Sequence, residues 1–277
     1  MLPAFFCALF KKENSCDHVR MSSRLPSWLL QHPIAHRGLH DGSANADATT
    51  KAVIENSMAA FRAAEAAGYP VELDVRLSQD GDAVVFHDMT LDRLTSESAR
   101  VDAVDASAMS SFKLKNTSET IPLLRDVVAE ISTPLLIEIK NDGEVGALES
   151  ATWKILKDCG RGFAIQSFNP DTLGWFRDHA ESVCRGLLSG DFAGLPLPEP
   201  IRKRLSSMEA AAEVAPDFIG YDVRCLPRKA VAKERESGRP ILGWTVKSAG
   251  DWEKARAHCD NMIFEGFRPE GSTPDGT

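Results

Sequence analysis

Several protein classes are excluded by what this chain lacks. No run of 18 apolar residues occurs, so no transmembrane helix is expected. The opening MLPAFFCALFKK is apolar over ten residues only, with no basic residue before it and no small-residue cleavage site after it. It is a poor secretory signal, and residues 1–30 read as an extension of the domain, with Met21 an alternative start. A basic excess is missing too: the formal net charge is −8, which argues against nucleic acid as a partner. The six cysteines, at 7, 16, 159, 184, 225 and 259, form no CxxC pair. A chain of 277 residues can bury a core without disulfides, so the cysteines read as free thiols of a reducing compartment, the cytoplasm. Cys184 and Cys225 border apolar runs and read as small core residues rather than nucleophiles. No internal repeat is visible, and only Gly38 follows the first extended run, where an open dinucleotide-binding sheet would carry a glycine-rich loop.

What is present is a regular alternation. Hydrophobic residues make up 43% and charged residues 26%, as in an ordinary globular domain. Extended runs are expected at Pro33–Ala35, Val71–Val75, Ala83–Phe86, Leu135–Ile139, Phe163–Gln166, Gly186–Leu188, Phe218–Tyr221, Ile241–Trp244 and Met262–Phe264. Helical patterns fall between most of them: Ser57–Ala67, Glu144–Cys159, Asp171–His179, Arg228–Ser237 and Asp251–His258. Strand-then-helix order means a parallel sheet, and a single-domain TIM (β/α)8-type barrel over residues 31–268 fits the length. Nine runs are one too many for eight strands, and the surplus is expected around the tight turn Asp80-Gly81. Residues 191–200 read as a loop and 269–277 as a C-terminal tail.

In such barrels chemistry sits at the C-terminal ends of the strands. Ionisable residues gather at those ends here: His36-Arg37, Glu72 and Asp74, His87-Asp88, and Glu138 with Lys140. Alternate residues on a strand share a face, so Glu72 and Asp74 point together while Leu73 and Val75 point away. Burying unpaired charge costs several kcal/mol, on the order of 3–5. Converging Glu72, Asp74 and Glu138 would be relieved by a divalent cation, and all-oxygen ligation favours Mg2+ or Ca2+. Taken alone, E-x-D and E-x-K match an exposed edge or a salt bridge about as well. His36 and His87 could serve as base and acid at neutral pH, although either histidine alone reads better as a core or surface residue. Neighbouring His32 and His40 read as incidental. Arg37 and Lys140 bring positive charge; with them and a divalent ion the pocket is left with one net positive charge, suited to a phosphodiester monoanion. Glu55-Asn56 precedes a helix, where Asn and Ser commonly cap.

In order and spacing these segments resemble the glycerophosphodiester phosphodiesterase family. The resemblance rests on Ile34-Ala35-His36-Arg37-Gly38, Glu55-Asn56-Ser57 with Ala60-Phe61, Glu72-Leu73-Asp74-Val75, Asp80-Gly81 and Val84-Val85-Phe86-His87-Asp88. It continues through Leu91, Arg93 and Thr95, then Glu138-Ile139-Lys140, Gln166-Ser167-Phe168 and Trp244-Thr245. The resemblance implies a TIM-barrel enzyme that uses a divalent cation to hydrolyse glycerophosphodiesters to glycerol 3-phosphate and an alcohol. It assigns His36 and His87 as the acid/base pair and Glu72, Asp74 and Glu138 as metal ligands, with Glu55 a nearby further candidate. Substrate contacts fall on Arg37, Lys140, Glu55, Asn56, Phe168 and Trp244. A lysophospholipase D or phosphoinositide phospholipase C-like activity, or a silent phosphodiester-binding barrel, are the competing readings. The chain departs from the family pattern in its longer 39–54 connection, in Ile54 where proline is usual, and in the lack of glycine over 96–120.

Overall fold

A computed structural model describes residues 25–41, 52–141, 143–192 and 199–269. Most of the segment read as an N-terminal extension, and all but the first residue of the tail, lie outside the described residues, as do 193–198 of the expected loop.

The strands are β1 (Ile34–Ala35), β2 (Val71–Leu77), β3 (Ala83–Val85), β4 (Leu135–Ile139), β5 (Phe163–Ser167), β6 (Arg185–Ser189), β7 (Phe218–Asp222), β8 (Ile241–Val246) and β9 (Asn261–Phe264). All nine coincide with expected runs, shifted by one or two residues at their ends. Eight of them pair in parallel and close on themselves: β1 meets β9 through Ala35↔Phe264 and β2 through Ala35↔Val71. The result is the single TIM-type barrel. The surplus strand is β3, antiparallel to β2 through Val75↔Val85 and Leu77↔Ala83. Its place follows from the brevity of β1. With only two residues, β1 covers β2 at Val71 alone, and the returning hairpin takes the edge left open further along.

The pleat sorts side chains into three cores. Ile34, Leu136, Ala164, Phe218, Leu242 and Ile263 fill the barrel interior together with Leu29, which comes from the short helix Trp28–Gln31. Gly186 makes room there for Phe218, because a Cβ at Gly186 would fall 2.1 Å from that ring. Leu73, Val75, Ile137 and Ile139 face outward and pack with Phe61, Leu148 and Phe176 of the covering helices. A separate cluster of Val84, Phe86, Leu91, Leu94, Met109, Leu114 and Ile121 forms the core of an insertion lobe between β2 and β4, joined by Ile54 from the connection before the helix Met58–Ala66. Ile54 is 3% exposed within it, so the residue that departs from the family pattern serves as lobe core. The glycine-poor 96–120 stretch folds into a 3-10 turn at Val101–Ala103 and a helix at Ala106–Met109.

The five expected helices form, three with shorter bounds (Met58–Ala66, Ala147–Leu156 and Lys229–Glu236) and two starting one or two residues earlier (Pro170–His179 and Ala249–His258). Leu124–Glu130, Glu199–Ser207 and Ala210–Val214 are helices that the sequence reading did not mark, and Glu199–Ser207 begins inside the expected loop. Each has nine residues or fewer, too short for a helical pattern to stand out.

Candidate active site

The first functional side chains follow β1. Arg37 has φ 55° and Gly38 φ 80°, a left-handed pair that turns the chain back over the helix Met58–Ala66. A Cβ at Gly38 would lie 2.7 Å from the Ala60 carbonyl carbon, so the close approach requires glycine. The turn aims the Arg37 backbone N–H at Glu72 Oε2 (3.0 Å) and its Nη1 at Glu55 Oε1 (2.7 Å), with Nε 3.3 Å from Asp74 Oδ2. His36 donates its backbone N–H to the Phe264 carbonyl, and its Nδ1 lies 2.6 Å from Glu265 Oε2. Burial lowers the His36 pKa to about 4 despite that carboxylate, so the ring is neutral at pH 7. With Nδ1–H donated to Glu265, Nε2 keeps its lone pair, 4.0 Å from Glu72 Oε2. Burial opposes ionisation of Glu265, but its bonds to His36 and to Lys247 Nζ (2.9 Å) hold it well below the usual carboxylate range.

The acidic cluster comes next. Glu72, Asp74 and Glu138, at 1%, 0% and 8% exposure, offer oxygens that all lie within 4.8 Å of one another. The register Asp74↔Glu138 sets the last two side by side. Asn56, itself at φ 55°, donates Nδ2–H to Asp74 Oδ2 (2.8 Å) and accepts from the Asp74 backbone N–H (3.3 Å). Lys140 Nζ reaches Glu138 Oε1 at 2.7 Å and Asp74 Oδ1 at 3.3 Å. Burial, then the Asp74 and Glu138 charges, push Glu72 well above the ordinary carboxylate range. Asp74 goes the other way: burial would raise it, but Lys140 and Arg37 hold it far below. Two cations do not satisfy three buried carboxylates, and Asp74 Oδ1 accepts no hydrogen bond. The all-oxygen donor set fits a hard divalent ion, so the cluster could hold a metal ion.

His87 belongs to the insertion lobe. It lies two residues past the end of β3 and is 32% exposed. Its Nδ1 is 2.6 Å from Asp88 Oδ1, and its carbonyl accepts from Arg76 Nε at 2.8 Å. Asp88 Oδ2 in turn accepts from Arg93 Nε, whose two terminal nitrogens donate to Glu55 Oε2 (2.9 Å) and Oε1 (2.7 Å). Glu55 is 3% exposed; burial would raise its pKa, but Arg93 and Arg37 bring it down to about 2.

A cavity of about 350 Å³ brings together His36, His87, Glu72, Glu138, Arg37 and Lys140. Phe168 and Trp244 form one wall, edge to face with centroids 5.5 Å apart. Asp74, Glu55 and Asn56 are not among its lining residues: Asn56 holds Asp74, and both Glu55 oxygens are taken by arginines. The sequence reading did not assign Glu265, Asp88, Arg93 or Lys247. Glu265 directly follows β9, the same strand-end position that marks His36, so the signal for it was present.

A parallel eight-stranded barrel that carries two oriented imidazoles, an acidic cluster and two buried cations at its C-terminal rim has the parts of a hydrolase for phosphate esters. Comparison with known proteins narrows that class. The glycerophosphoryl diester phosphodiesterase family profile matches residues 36–264, and the chain belongs to that family of phosphodiester hydrolases. A glycerophosphodiester phosphodiesterase of Caldanaerobacter subterraneus subsp. tengcongensis is 39% identical over 248 residues, covering 84% of this chain and 93% of that one. The uncharacterised protein YqiK of Bacillus subtilis is 31% identical over 150 residues, half of this chain and 62% of that protein. Among solved structures, an Oleispira antarctica phosphodiesterase in complex with the product sn-glycerol-3-phosphate superposes with a TM-score of 0.69 at 21% identity, covering 86% of this chain and 94% of that one.

Proposed function

We propose that this protein hydrolyses glycerophosphodiesters to glycerol 3-phosphate and an alcohol, in a divalent metal-dependent reaction with two histidines as base and acid. Glu72, Asp74 and Glu138 would hold Mg2+ or Ca2+, which when bound neutralises charge on the phosphoryl oxygens. Arg37 and Lys140, both on the cavity wall, bind and orient the phosphodiester. His36 is neutral, with Nδ1 committed to Glu265, so Nε2 can take the proton of the attacking hydroxyl, from water directly or from the neighbouring glycerol hydroxyl, in which case water opens the resulting cyclic phosphate to glycerol 3-phosphate. His87, oriented by Asp88, protonates the leaving alkoxide. Phe168 and Trp244 shield the site from bulk water and pack against the substrate carbons. The observation that carries the reading is the convergence of three buried carboxylates beside two imidazoles, each fixed at Nδ1 by its own carboxylate.

Released glycerol 3-phosphate, measured with glycerophosphocholine as substrate, tests it. Activity is expected with Mg2+ or Ca2+, to disappear after EDTA treatment and to return on adding the ion back. A rate undiminished by EDTA would sink the metal-dependent scheme. A long-chain lysophospholipid run beside it is expected to be a poor substrate. No helix among the described residues is long and apolar enough to cross a membrane. A cytoplasmic site of action belongs to the same proposal and is supported by the cysteine pattern.

A further inference from the structure

A second cavity, of about 310 Å³, meets the catalytic one at Lys140. It runs between the insertion lobe and the loop after β4. Arg76 and Arg100 line its polar side, Met89 and Val101 its apolar side, and Asp102 and Glu144 add acceptors. Its connection to the reaction centre is through His87: Arg76 Nε donates to the His87 carbonyl, and Met89 follows His87 by two residues. The backbone of the residue proposed to protonate the leaving alkoxide is therefore tied to one wall of this cavity.

We infer that this cavity receives the headgroup of the departing alcohol, and that it selects a polyhydroxylated headgroup over a quaternary ammonium. The inference rests on the phosphodiesterase reading above. Quaternary ammonium groups are recognised by the faces of aromatic rings. Among the described residues no aromatic one lines this cavity; Phe168 and Trp244 line the other one. A polyol needs donors and acceptors side by side, with an apolar surface for its C–H face. Arg100 and Asp102 make a planar pair through Nε–Oδ1 (2.8 Å) and Nη2–Oδ2 (2.5 Å), and each Asp102 oxygen retains acceptor capacity. Met89 and Val101 supply the apolar surface. Arg76, Arg100 and Lys140 outnumber Asp102 and Glu144 by one charge in the lining, which further disfavours a cationic headgroup. The volume lies at the lower end of small-ligand sites, about 300 Å³, as a single headgroup requires.

The test compares kcat/KM of the full-length, metal-loaded protein on glycerophosphoinositol, glycerophosphoglycerol and glycerophosphocholine. It uses the wild type, Arg100→Ala and Asp102→Asn, none of which alters a residue of the catalytic cavity. The wild type is expected to favour the two polyol substrates by about tenfold or more over choline. Each variant is expected to lose about 5–20-fold on the polyols and to stay within about twofold on choline. If Arg100→Ala does not fold, Asp102→Asn, which removes charge without volume, reports the same ratio. A wild type that prefers choline, or variants that lose equally on all three substrates, would overturn the subsite while leaving the phosphodiesterase reading intact. If none of the three substrates is turned over, the phosphodiesterase reading falls, and the subsite falls with it.

Discussion

The two imidazoles of the site stand in regions built on different physics. His36 continues a barrel strand: the register Ala35↔Phe264 makes His36 and Glu265 the next neighbours along the β1–β9 ladder, and their 2.6 Å contact is a consequence of backbone pairing. His87 lies beyond the last paired residue of β3, in a lobe with its own core. It is oriented by a chain of side-chain ion pairs from Asp88 through Arg93 to Glu55 and on to Arg37. The proposed base is thus held by the sheet, and the proposed acid by charges that run back to Arg37. A sheet-held group tolerates changes in its surroundings, whereas an ion-pair relay fails when one link is cut. Arg37 belongs to both arrangements, since it also donates its backbone N–H to Glu72 and touches Asp74.

The comparison can be broken most severely at the imidazoles themselves. His36→Ala and His87→Ala are each expected to lower kcat by about 10²–10⁴-fold, measured by glycerol 3-phosphate release at saturating substrate and metal. Near-wild-type turnover in either variant would remove that histidine from proton transfer. The next largest effect is expected at Arg93, which does not line the catalytic cavity. Arg93→Ala should lower kcat by about 10–100-fold with KM little changed, because His87 loses its orientation while phosphate binding persists. The same variant should be less stable at neutral pH and less sensitive to acid. Glu55 has a folded pKa of about 2 against an ordinary 4.5, so it contributes stability that is present above pH 4.5 and lost as pH falls towards 2. Removing Arg93 raises that folded pKa and shrinks the contribution, so the variant should melt below the wild type at neutral pH, with the gap narrowing as pH falls towards 2. If Arg93→Ala kept full kcat, the relay would be a structural tie and nothing more.

What was legible in the sequence follows the range of the interactions. Strands and the pairing of Glu72 with Asp74 depend on a period of two and could be read within five residues. The strand-end rule placed His36, Arg37, His87, Glu138 and Lys140 before any coordinates. The turn Asp80-Gly81 located the surplus strand, but which of the two runs it joins lies outside the barrel was not legible, because that depends on how little of β2 is covered by a two-residue β1. Glu265 carried the same strand-end signal as His36, but the pairing of the two, 229 residues apart and across the closure of the barrel, was not legible. Arg93 belonged to a quoted motif, but its partners Glu55 and Asp88 are separated from it by 38 and 5 residues and meet only when lobe and barrel dock. Short helices such as Leu124–Glu130 form on tertiary contacts rather than on their own pattern.

The mildest expected effect is on the sheet-held side, at Glu265. Glu265→Gln keeps a side-chain oxygen that can accept from His36 Nδ1–H, and the β1–β9 register that aligns the two residues is backbone and unaltered. What is lost is the negative charge that stabilises the imidazolium when His36 has taken its proton, together with the partner of Lys247 Nζ. The Lys247 pair is more than half exposed on the lysine side, so its loss contributes little. A charge-assisted hydrogen bond replaced by a neutral one changes the energy by about 1–1.5 kcal/mol, which predicts a fall in kcat of roughly tenfold with KM near its wild-type value. That is less than the loss expected on cutting the relay at Arg93. The amide can also turn and donate to Nδ1, which would place the proton on Nε2 and disable the base. A fall in kcat as deep as that of His36→Ala would report that turn, and would show that backbone register alone does not fix the tautomer of His36.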